Sequence, residues 1–304
     1  MRIKLSAILM VIGTMIGSSS ELIRSQDIDY VGEGNPRQML NLYLPPTIKK
    51  GAKLPVIFWV HGGAWAKGSK DRPGQALRVT VIGPCAVVSI NYRLTDEAQW
   101  PAQIHDCKAA LRWVRANAGK HHLDADRIVV WGASAGGHLV SMLGTTQNDK
   151  FYDGKLGKHV GVSTKVSAVV NFFGPTDFVV MDEQGSRMNH DRPDSPEGKL
   201  LGGRVSELTA KAKEASPFHQ ASKDDAPVLT VHGTKDPLVP YLQGKAFDEK
   251  LDAVGVSSIL LTVNGGGHGR GFGESVETEV RKFLQHHLFG KKHEFKDRAV
   301  EAGS

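Results

Sequence analysis

The sequence is poor in the features that mark metalloproteins, nucleic-acid-binding proteins and membrane-spanning proteins. It has no HExxH motif and no paired-cysteine spacing, so neither a metal nor an organic cofactor is expected. The formal charge of +6 is a mild basic excess without a basic run interleaved with aromatic residues, which argues against a nucleic-acid partner. An apolar run over residues 5–17 is too short to span a bilayer comfortably.

Cysteine is also scarce, with only Cys85 and Cys107 present. Cys85 opens an apolar, strand-like run, and Cys107 lies on the apolar face of a predicted helix, so both side chains are expected to be buried. Two buried free thiols is the preferred interpretation. A mutual disulfide stays open, because the sequence does not tell whether the two Cα atoms are close enough.

The N terminus has the pattern of a secretory signal peptide over residues 1–20. Arg2 and Lys4 precede the apolar run, and small residues follow at 17–20. We therefore expect a secreted or periplasmic protein without a stable membrane span after cleavage, a retained anchor or a buried helix being the alternative. Cleavage would remove Arg2 and Lys4 and lower the formal charge from +6 to +4.

The remaining chain alternates strand-like and helix-like segments, which predicts an α/β fold with a mostly parallel central sheet and helices on both faces. Its 40% hydrophobic and 23% charged residues are typical of a globular protein, and one catalytic domain over residues 21–290 is expected. The predicted strands are 54–60, 85–91, 127–131, 165–172, 228–232 and 258–263, and the clearest helices are 101–117 and 273–288.

Two segments depart from this alternation. Residues 176–217 carry no strand signal and are rich in glycine, proline and charge, so they are predicted to form a small cap or insertion. A functional cap and a plain surface excursion are both open. Residues 291–304 are charged and weakly patterned, and they are expected to form a flexible tail.

Gly132-Ala133-Ser134-Ala135-Gly136 fits the G-x-S-x-G pattern between a strand-like run and an apolar, helix-like run. This context predicts that Ser134 lies at a sharp strand-to-helix turn, where a strained backbone presents its hydroxyl group. The two glycines would leave room for the crossing strand and helix.

A serine nucleophile needs a histidine base and a carboxylate that orients the histidine. In this topology both follow the serine, each on a loop that leaves a strand. Asp236 follows the predicted strand 228–232, and His268 lies in a glycine-rich loop after the predicted strand 258–263. Asp177 also follows a strand and is the rival acid.

The segment His61-Gly62-Gly63-Ala64-Trp65 follows the predicted strand 54–60, where backbone N–H groups can converge on an oxyanion. A tight turn without that role is the alternative. The N–H group of Ala135, directly after the serine, is the expected further donor. Trp65, Phe173 and Phe178 lie near the predicted loops, where they line a substrate pocket or simply pack.

These motifs resemble the α/β-hydrolase serine esterases over roughly residues 36–289, and residues 89–94 and 101–107 add to the match. More narrowly they resemble the feruloyl and acetylxylan esterase branch, which is related to hormone-sensitive-lipase-like esterases and kynurenine formamidases. The HGGA and GASAGG variants, in place of HGGG and GDSAGG, favour that branch. The resemblance implies an α/β-hydrolase fold and an Arg93–Asp106 pair. It also implies these site residues: Ser134 as nucleophile, Asp236 as acid, His268 as base, and Gly63, Ala64 and Ala135 as oxyanion donors.

The sequence thus predicts a secreted serine carboxylesterase that acts on small acyl esters, with acetyl or feruloyl esters of plant polysaccharides as the first candidate substrates. An arylformamidase would use the same residues, but its usual intracellular role fits poorly with a signal peptide. A hydrolase fold that has lost activity and serves in binding is the alternative of another class. The sequence predicts neither the oligomeric state nor the acyl length.

Overall fold

The structure is a computed structural model, and it describes residues 22–78 and 82–304. The predicted signal peptide, residues 1–20, therefore lies outside the described residues. None of the helices in the described ranges has the length and apolar character needed to cross a membrane.

One sheet of nine strands runs through the described part of the chain. The strands are β1 (Ile23–Asp29), β2 (Met39–Leu44), β3 (Leu54–Val60), β4 (Ala86–Ile90), β5 (Leu123–Ala133), β6 (Ala168–Phe172), β7 (Val228–Gly233), β8 (Ser258–Asn264) and β9 (Arg298–Glu301). Their order across the sheet is β1-β2-β4-β3-β5-β6-β7-β8-β9. The β1–β2 and β2–β4 pairs are antiparallel and the other pairs are parallel, so the predicted mostly parallel sheet is confirmed.

Helices cover both faces of this sheet, as predicted. They are α1 (Gln75–Arg78), α2 (Ala102–Ala116), α3 (Ala135–Thr145), α4 (Lys150–Asp153), α5 (Pro196–Leu201), α6 (Thr209–Glu214), α7 (Pro217–Gln220), α8 (Tyr241–Ala253) and α9 (Glu274–Phe289). Alternate residues of β3 enter different cores: Phe58 packs in the core that includes α2, α3 and α8, while Ile57 packs in the core that includes α9. This alternation explains why β3 reads as a continuous apolar run, since both faces are buried.

The two cysteines lie in these two separate cores. Cys107 of α2 belongs to the core of one face, and Cys85 belongs to the core of the opposite face. Both are free and buried, which confirms the preferred interpretation over a disulfide. Burial raises the pKa of the Cys85 thiol to about 12, so this group stays protonated and unreactive at neutral pH.

The parallel arrangement brings the loops that follow β3, β5, β7 and β8 to one edge of the sheet, because the carboxyl ends of parallel strands meet there. Those loops carry residues 61–65, Ser134, Asp236 and His268. The insertion over residues 176–217 folds as short helices, including α5 and α6. The side chain of Gln243 in α8 anchors its start, because Gln243 Oε1 accepts the Thr176 N–H group at 2.7 Å.

The expectation of a flexible tail is wrong for the last residues of the chain. Strand β9 pairs in parallel with β8 and extends the sheet. Backbone hydrogen bonds then tie the final residues to the segment between β8 and α9: Ala302 N to Asn264 O at 3.0 Å, Gly303 N to Gly271 O at 2.8 Å, and Ser275 N to Ser304 O at 3.0 Å. An edge strand held by main-chain groups needs no apolar pattern, so the charged composition of the tail gave no sign of it.

A buried carboxyl group beneath this edge makes stability depend on pH. Asp248 of α8 accepts a hydrogen bond from the Ser258 hydroxyl of β8. Burial raises the pKa of Asp248 to about 7; the Ser258 hydrogen bond offsets part of this rise, while the charges of Asp297 and Asp252 add to it. The folded state therefore holds this proton more tightly than the unfolded chain. The resulting stability is full below the ordinary value of 3.8 and is lost as the pH rises through about 7.

Replacing Asp248 by asparagine should remove this loss. We expect Asp248→Asn to raise the Tm at pH 8 by about 2 to 4 °C over wild type, the shift given by about 1 kcal/mol, and to change it much less at pH 5. Thermal unfolding followed by circular dichroism at both pH values checks this. Asp224→Asn, at an exposed position, is the matched control. An equal gain at the two pH values would contradict the assignment.

Candidate active site

Ser134 lies at the turn between β5 and α3 with φ of 55° and ψ of −124°, a conformation that is costly for a residue with a Cβ atom. Its N–H group donates to Phe172 O at 2.8 Å, which fixes the turn against β6. The flanking glycines have a steric reason. A Cβ atom on Gly132 would lie 2.3 Å from the oxygen of Gly136, and one on Gly136 would lie 2.1 Å from the oxygen of Val60.

The segment after β3 lies directly against this turn. A Cβ atom on Gly62 would lie 2.5 Å from the oxygen of Ala133 and 3.3 Å from Cβ of Ser134. Gly63, Ala64 and Trp65 have positive φ values of 115°, 55° and 53°. Three successive residues in this region turn the chain tightly beside the serine. Ala64 and Ala135 line the same cleft as Ser134, and Gly63 directly precedes Ala64 in the turn.

His61 supports this loop from below. Its ring stacks on Tyr92 with centroids 4.4 Å apart, and the Tyr92 hydroxyl donates to His61 O at 3.0 Å. Burial lowers the pKa of His61 to about 4, so the ring is neutral at pH 7. His61 Nδ1 lies 2.8 Å from Gly62 O, and since a carbonyl only accepts, Nδ1 carries the hydrogen.

His268 and Asp236 form a close pair at the same edge. His268 Nδ1 lies 2.7 Å from Asp236 Oδ2, while Asp236 Oδ1 accepts the N–H groups of Leu238 at 2.9 Å and Val239 at 3.0 Å. Burial alone would raise the pKa of Asp236, but hydrogen bonds from His232 and His268 and the charge of His268 hold it well below its ordinary value. Asp236 is therefore ionised, and His268 Nε2 is left free to face the cleft.

The rival acid, Asp177, does not reach this pair. Its side chain accepts the Val179 N–H group at 3.1 Å and lies 3.1 Å from His219 Nε2. It thus caps the first turn of the insertion. Of the two candidate acids, only Asp236 contacts His268.

Ser134 and His268 open onto a common cleft of about 360 Å³, a volume that includes open space at its mouth. Of the three predicted pocket side chains, Trp65 lines this cleft. Phe173 instead packs against the ring of His268 with centroids 4.5 Å apart. Phe178 is buried behind Trp65, with centroids 5.6 Å apart. Phe173 and Phe178 therefore pack against other rings, which is one of the two alternatives that the sequence left open.

Trp65 is held by a histidine that was not predicted to contribute to the site. Trp65 Nε1 donates to His138 Nδ1 at 3.2 Å, and His138 Nε2 lies 2.6 Å from Ala215 O. Because Nδ1 accepts, Nε2 carries the hydrogen, and burial lowers the pKa of His138 to about 4, in keeping with a neutral ring. His138 follows the two glycines of the elbow, so its place four residues after Ser134 was the available signal.

The Arg93–Asp106 pair expected from the resemblance is present. Arg93 Nη2 lies 2.8 Å from Asp106 Oδ1, and the Arg93 N–H group donates to Asp106 Oδ2 at 2.8 Å. Gln38 Nε2 donates to the same carboxylate at 2.8 Å. The fully buried carboxylate is thus well supplied with donors, as a buried charge requires.

Other cleft residues were missed altogether. Leu238 and Val239 lie two and three residues after the acid, and that proximity was a usable signal. The insertion contributes Met188, His190 and Glu197, which no motif marks. Their presence turns the insertion from a surface excursion into part of the cleft wall.

The chain matches the model of the BD-FAE family over residues 40–251. Among curated proteins it is 34% identical to Esterase LipC of Mycobacterium tuberculosis over 238 residues, which cover 77% of this chain and 57% of LipC. It is 30% identical to Esterase LipQ of the same organism, over 78% of this chain and 54% of LipQ. The chain spans about half the length of these curated relatives.

Solved structures extend the likeness to nearly the whole fold. A truncated carbohydrate esterase from gut microbiota superposes with a TM-score of 0.82 at 30% identity, covering 90% of this chain and 98% of that one. A bifunctional GH43-CE protein from Bacteroides eggerthii gives a TM-score of 0.80 at 32% identity, covering 87% of this chain and 35% of that one.

The geometry at His268 predicts which carboxylate activates Ser134. We expect Asp236→Asn to slow the reaction of Ser134 with a fluorophosphonate probe by about 10⁴-fold, because the histidine loses its orienting charge and its correct tautomer. Asp177→Asn, the matched control, should label at the wild-type rate. Labelling rates from gel fluorescence check both, and a slower reaction in Asp177→Asn than in Asp236→Asn would reverse the assignment.

Proposed function

The chain belongs to the BD-FAE family of α/β-hydrolase serine esterases, and from this premise we propose that it hydrolyses small acyl esters through an acyl-enzyme. The observation that carries the proposal is the 2.7 Å contact between His268 Nδ1 and Asp236 Oδ2, on a histidine that shares its cleft with Ser134. A histidine that is oriented by a carboxylate and lines the same cleft as a serine can serve as the base that a serine nucleophile needs.

In the proposed mechanism, Ser134 Oγ attacks the ester carbonyl while His268 Nε2 takes the hydroxyl proton. The tetrahedral intermediate collapses when His268 returns that proton to the leaving alcohol, which leaves the acyl group on Ser134. Water then attacks the acyl-enzyme, again with His268 as base, and releases the acid. Asp236 stays ionised throughout and stabilises the imidazolium form of His268.

The negative charge that develops on the carbonyl oxygen needs donors that are already in place. We assign this role to the N–H groups of Gly63, Ala64 and Ala135, on the two turns that meet beside Ser134. Removing one such donor typically costs roughly 3 to 4 kcal/mol of transition-state stabilisation. The strained φ values of this loop are the structural cost of that arrangement.

For the natural substrate we propose acetyl esters of plant polysaccharides, with feruloyl esters as the larger alternative. Two observations support this. The cleft beside Ser134 is walled by the bulky side chains of Trp65, Met188 and Leu238, which favours a short acyl group. In addition, the most extensive structural likeness reported above is to a carbohydrate esterase.

A panel of p-nitrophenyl esters tests the activity and the acyl preference together. We expect kcat/KM to be highest for acetate and to fall by at least about tenfold for octanoate, because a small pocket discriminates chain length by packing. Ser134→Ala, whose fold a melting curve verifies, should hydrolyse none of the esters above background. Near wild-type hydrolysis by Ser134→Ala would contradict the mechanism, and faster hydrolysis of octanoate would contradict the acyl preference.

We further propose that the protein is exported with removal of about 20 residues, on the pattern of Arg2, Lys4 and the apolar run 5–17. When the full chain is expressed in an export-competent bacterium, mass spectrometry should find a mature N terminus close to Ser20 in the periplasm or the medium. A deletion of residues 1–20 should leave the enzyme in the cytoplasm. Recovery of an intact N terminus in the cytoplasmic fraction would contradict export.

A further inference from the structure

The wall of the cleft that faces away from the sheet carries a polar pair for which the mechanism has no use. His190 and Glu197, both from the insertion, line the cleft together with Ser134 and His268. The other wall residues are apolar or, like Trp65, have their polar group bonded elsewhere. A buried charged pair facing an otherwise apolar cleft needs a reason, because burying charge is costly.

The two side chains are held rigidly. His190 Nδ1 lies 2.8 Å from Glu197 Oε2, and each side chain is only 3% exposed. His190 Nε2 lies 2.7 Å from Ser186 Oγ, which is also 3.2 Å from Leu238 O. Because a carboxylate oxygen only accepts, His190 Nδ1 carries a hydrogen and donates to Glu197, while Nε2 is engaged with Ser186.

His190 is therefore the donor and Glu197 the acceptor in this pair. Burial alone would lower the pKa of His190, but the hydrogen bond and charge of Glu197 raise it above the ordinary value. All the donors on His190 are used, so it has nothing to offer a ligand. Glu197 differs from His190 in this respect. Among the described residues, only its Oε2 atom takes part in a hydrogen bond, and its Oε1 atom is an acceptor without a donor.

Serine, histidine and carboxylate here follow the order of a second triad, but Ser186 is not a nucleophile. Its hydroxyl is directed at Leu238 O, and its oxygen also accepts the Met188 N–H group at 3.1 Å. A hydroxyl that is occupied in this way is not free to attack a carbonyl carbon. The feature of the pair that is available to a ligand is instead Glu197, which lines the cleft and whose Oε1 atom has no donor among the described residues.

The position of the pair indicates which part of the substrate it meets. Ser186 and Arg187 bond the loop that carries Asp236, the latter through Arg187 N and Pro237 O at 3.3 Å. Asp236 in turn holds His268, which must reach the oxygen of the leaving alcohol. The insertion is thus fastened to the loop of the acid that orients His268, the residue proposed to protonate the leaving alcohol.

We infer that Glu197, oriented by His190, forms a subsite for the free hydroxyl groups of a carbohydrate alcohol whose ester is held at Ser134. The inference rests on the proposed esterase function. Glu197 Oε1 is a hydrogen-bond acceptor, and the hydroxyl groups of such an alcohol are the donors that it would take. Glu197 is a specificity-determining residue in this scheme, and His190 is a positioning residue that acts through it.

Two esters with the same acyl group and ring size separate the subsite from the chemistry. A monoacetylated methyl xyloside offers free hydroxyl groups, whereas cyclohexyl acetate offers none. In Glu197→Gln the amide carbonyl must face His190, which donates, so the NH₂ group faces the cleft and an acceptor is replaced by a donor. We expect kcat/KM for the xyloside to fall by about 10- to 100-fold, and that for cyclohexyl acetate to change by less than about twofold.

Matched variants control for general damage to the insertion. Glu207→Gln removes a carboxylate of the same insertion whose side chain is 71% exposed, and it should leave both substrates unaffected. His190→Asn keeps a donor in place of Nδ1 and should retain most of the preference for the xyloside. His190→Leu keeps no donor at that position and should lose the preference for the xyloside. Methyl xyloside should also inhibit cyclohexyl acetate hydrolysis in wild type and much less in Glu197→Gln.

The outcomes distinguish the subsite from the function on which it rests. An equal loss of kcat/KM on both esters in Glu197→Gln would give the pair a structural role and overturn the subsite, while the esterase proposal stands. Unchanged kcat/KM on both esters would overturn it as well. A wild-type protein that hydrolyses neither ester would overturn the proposed function and the subsite together.

Discussion

The approach of α3 to the ends of β3 and β5 is the constraint on which the candidate site depends. The backbone at Gly136 lies so close to Val60 and His61 that a side chain there would overlap main-chain oxygens. The same approach draws the loop after β3 against Ser134. The close packing of Gly136 against the end of β3 therefore fixes two distances. One is the distance from the sheet to Ser134, and the other is the distance from Ser134 to the loop after β3. Residues of β3 and β5 that never touch a substrate maintain both, because they keep the strands parallel and in register.

The site is built in two tiers that rest on different parts of the fold. Ser134, Asp236 and His268 leave the ends of buried parallel strands, so their positions follow from the sheet itself. Met188, His190 and Glu197 come from the insertion, whose short helices are held by side-chain hydrogen bonds such as that of Gln243. The chemistry thus resides on the rigid tier. The subsite that we propose for the alcohol lies on the tier that can change most readily without disturbing the sheet.

The same two tiers differ in how well the sequence predicts them. Strands buried on both faces are continuous apolar runs, so β3 was predicted with its observed bounds, and the loops after the strands followed with their acid and base. The contribution of the insertion to the cleft could not be predicted, because it depends on hydrogen bonds between residues such as Ser186 and Leu238, which are far apart in the chain. Phe178 illustrates a further limit. Its proximity to a predicted loop does not tell whether its ring lines the cleft or packs behind the residues that do. The antiparallel strands β1 and β2 and the edge strand β9 lacked the apolar continuity on which the prediction depended.

The pairing of the C-terminal residues has a consequence for the loop that carries His268. Four glycines lie among residues 265–269, and glycine loses more backbone entropy on ordering than any other residue. Left to itself, such a loop would sample many orientations of the histidine ring. The hydrogen bonds from Ala302 to Asn264 and from Gly303 to Gly271 hold the loop at both ends. The last strand of the sheet therefore supplies preorganisation: the ordering of His268 is completed during folding and does not have to be repeated in each catalytic turnover.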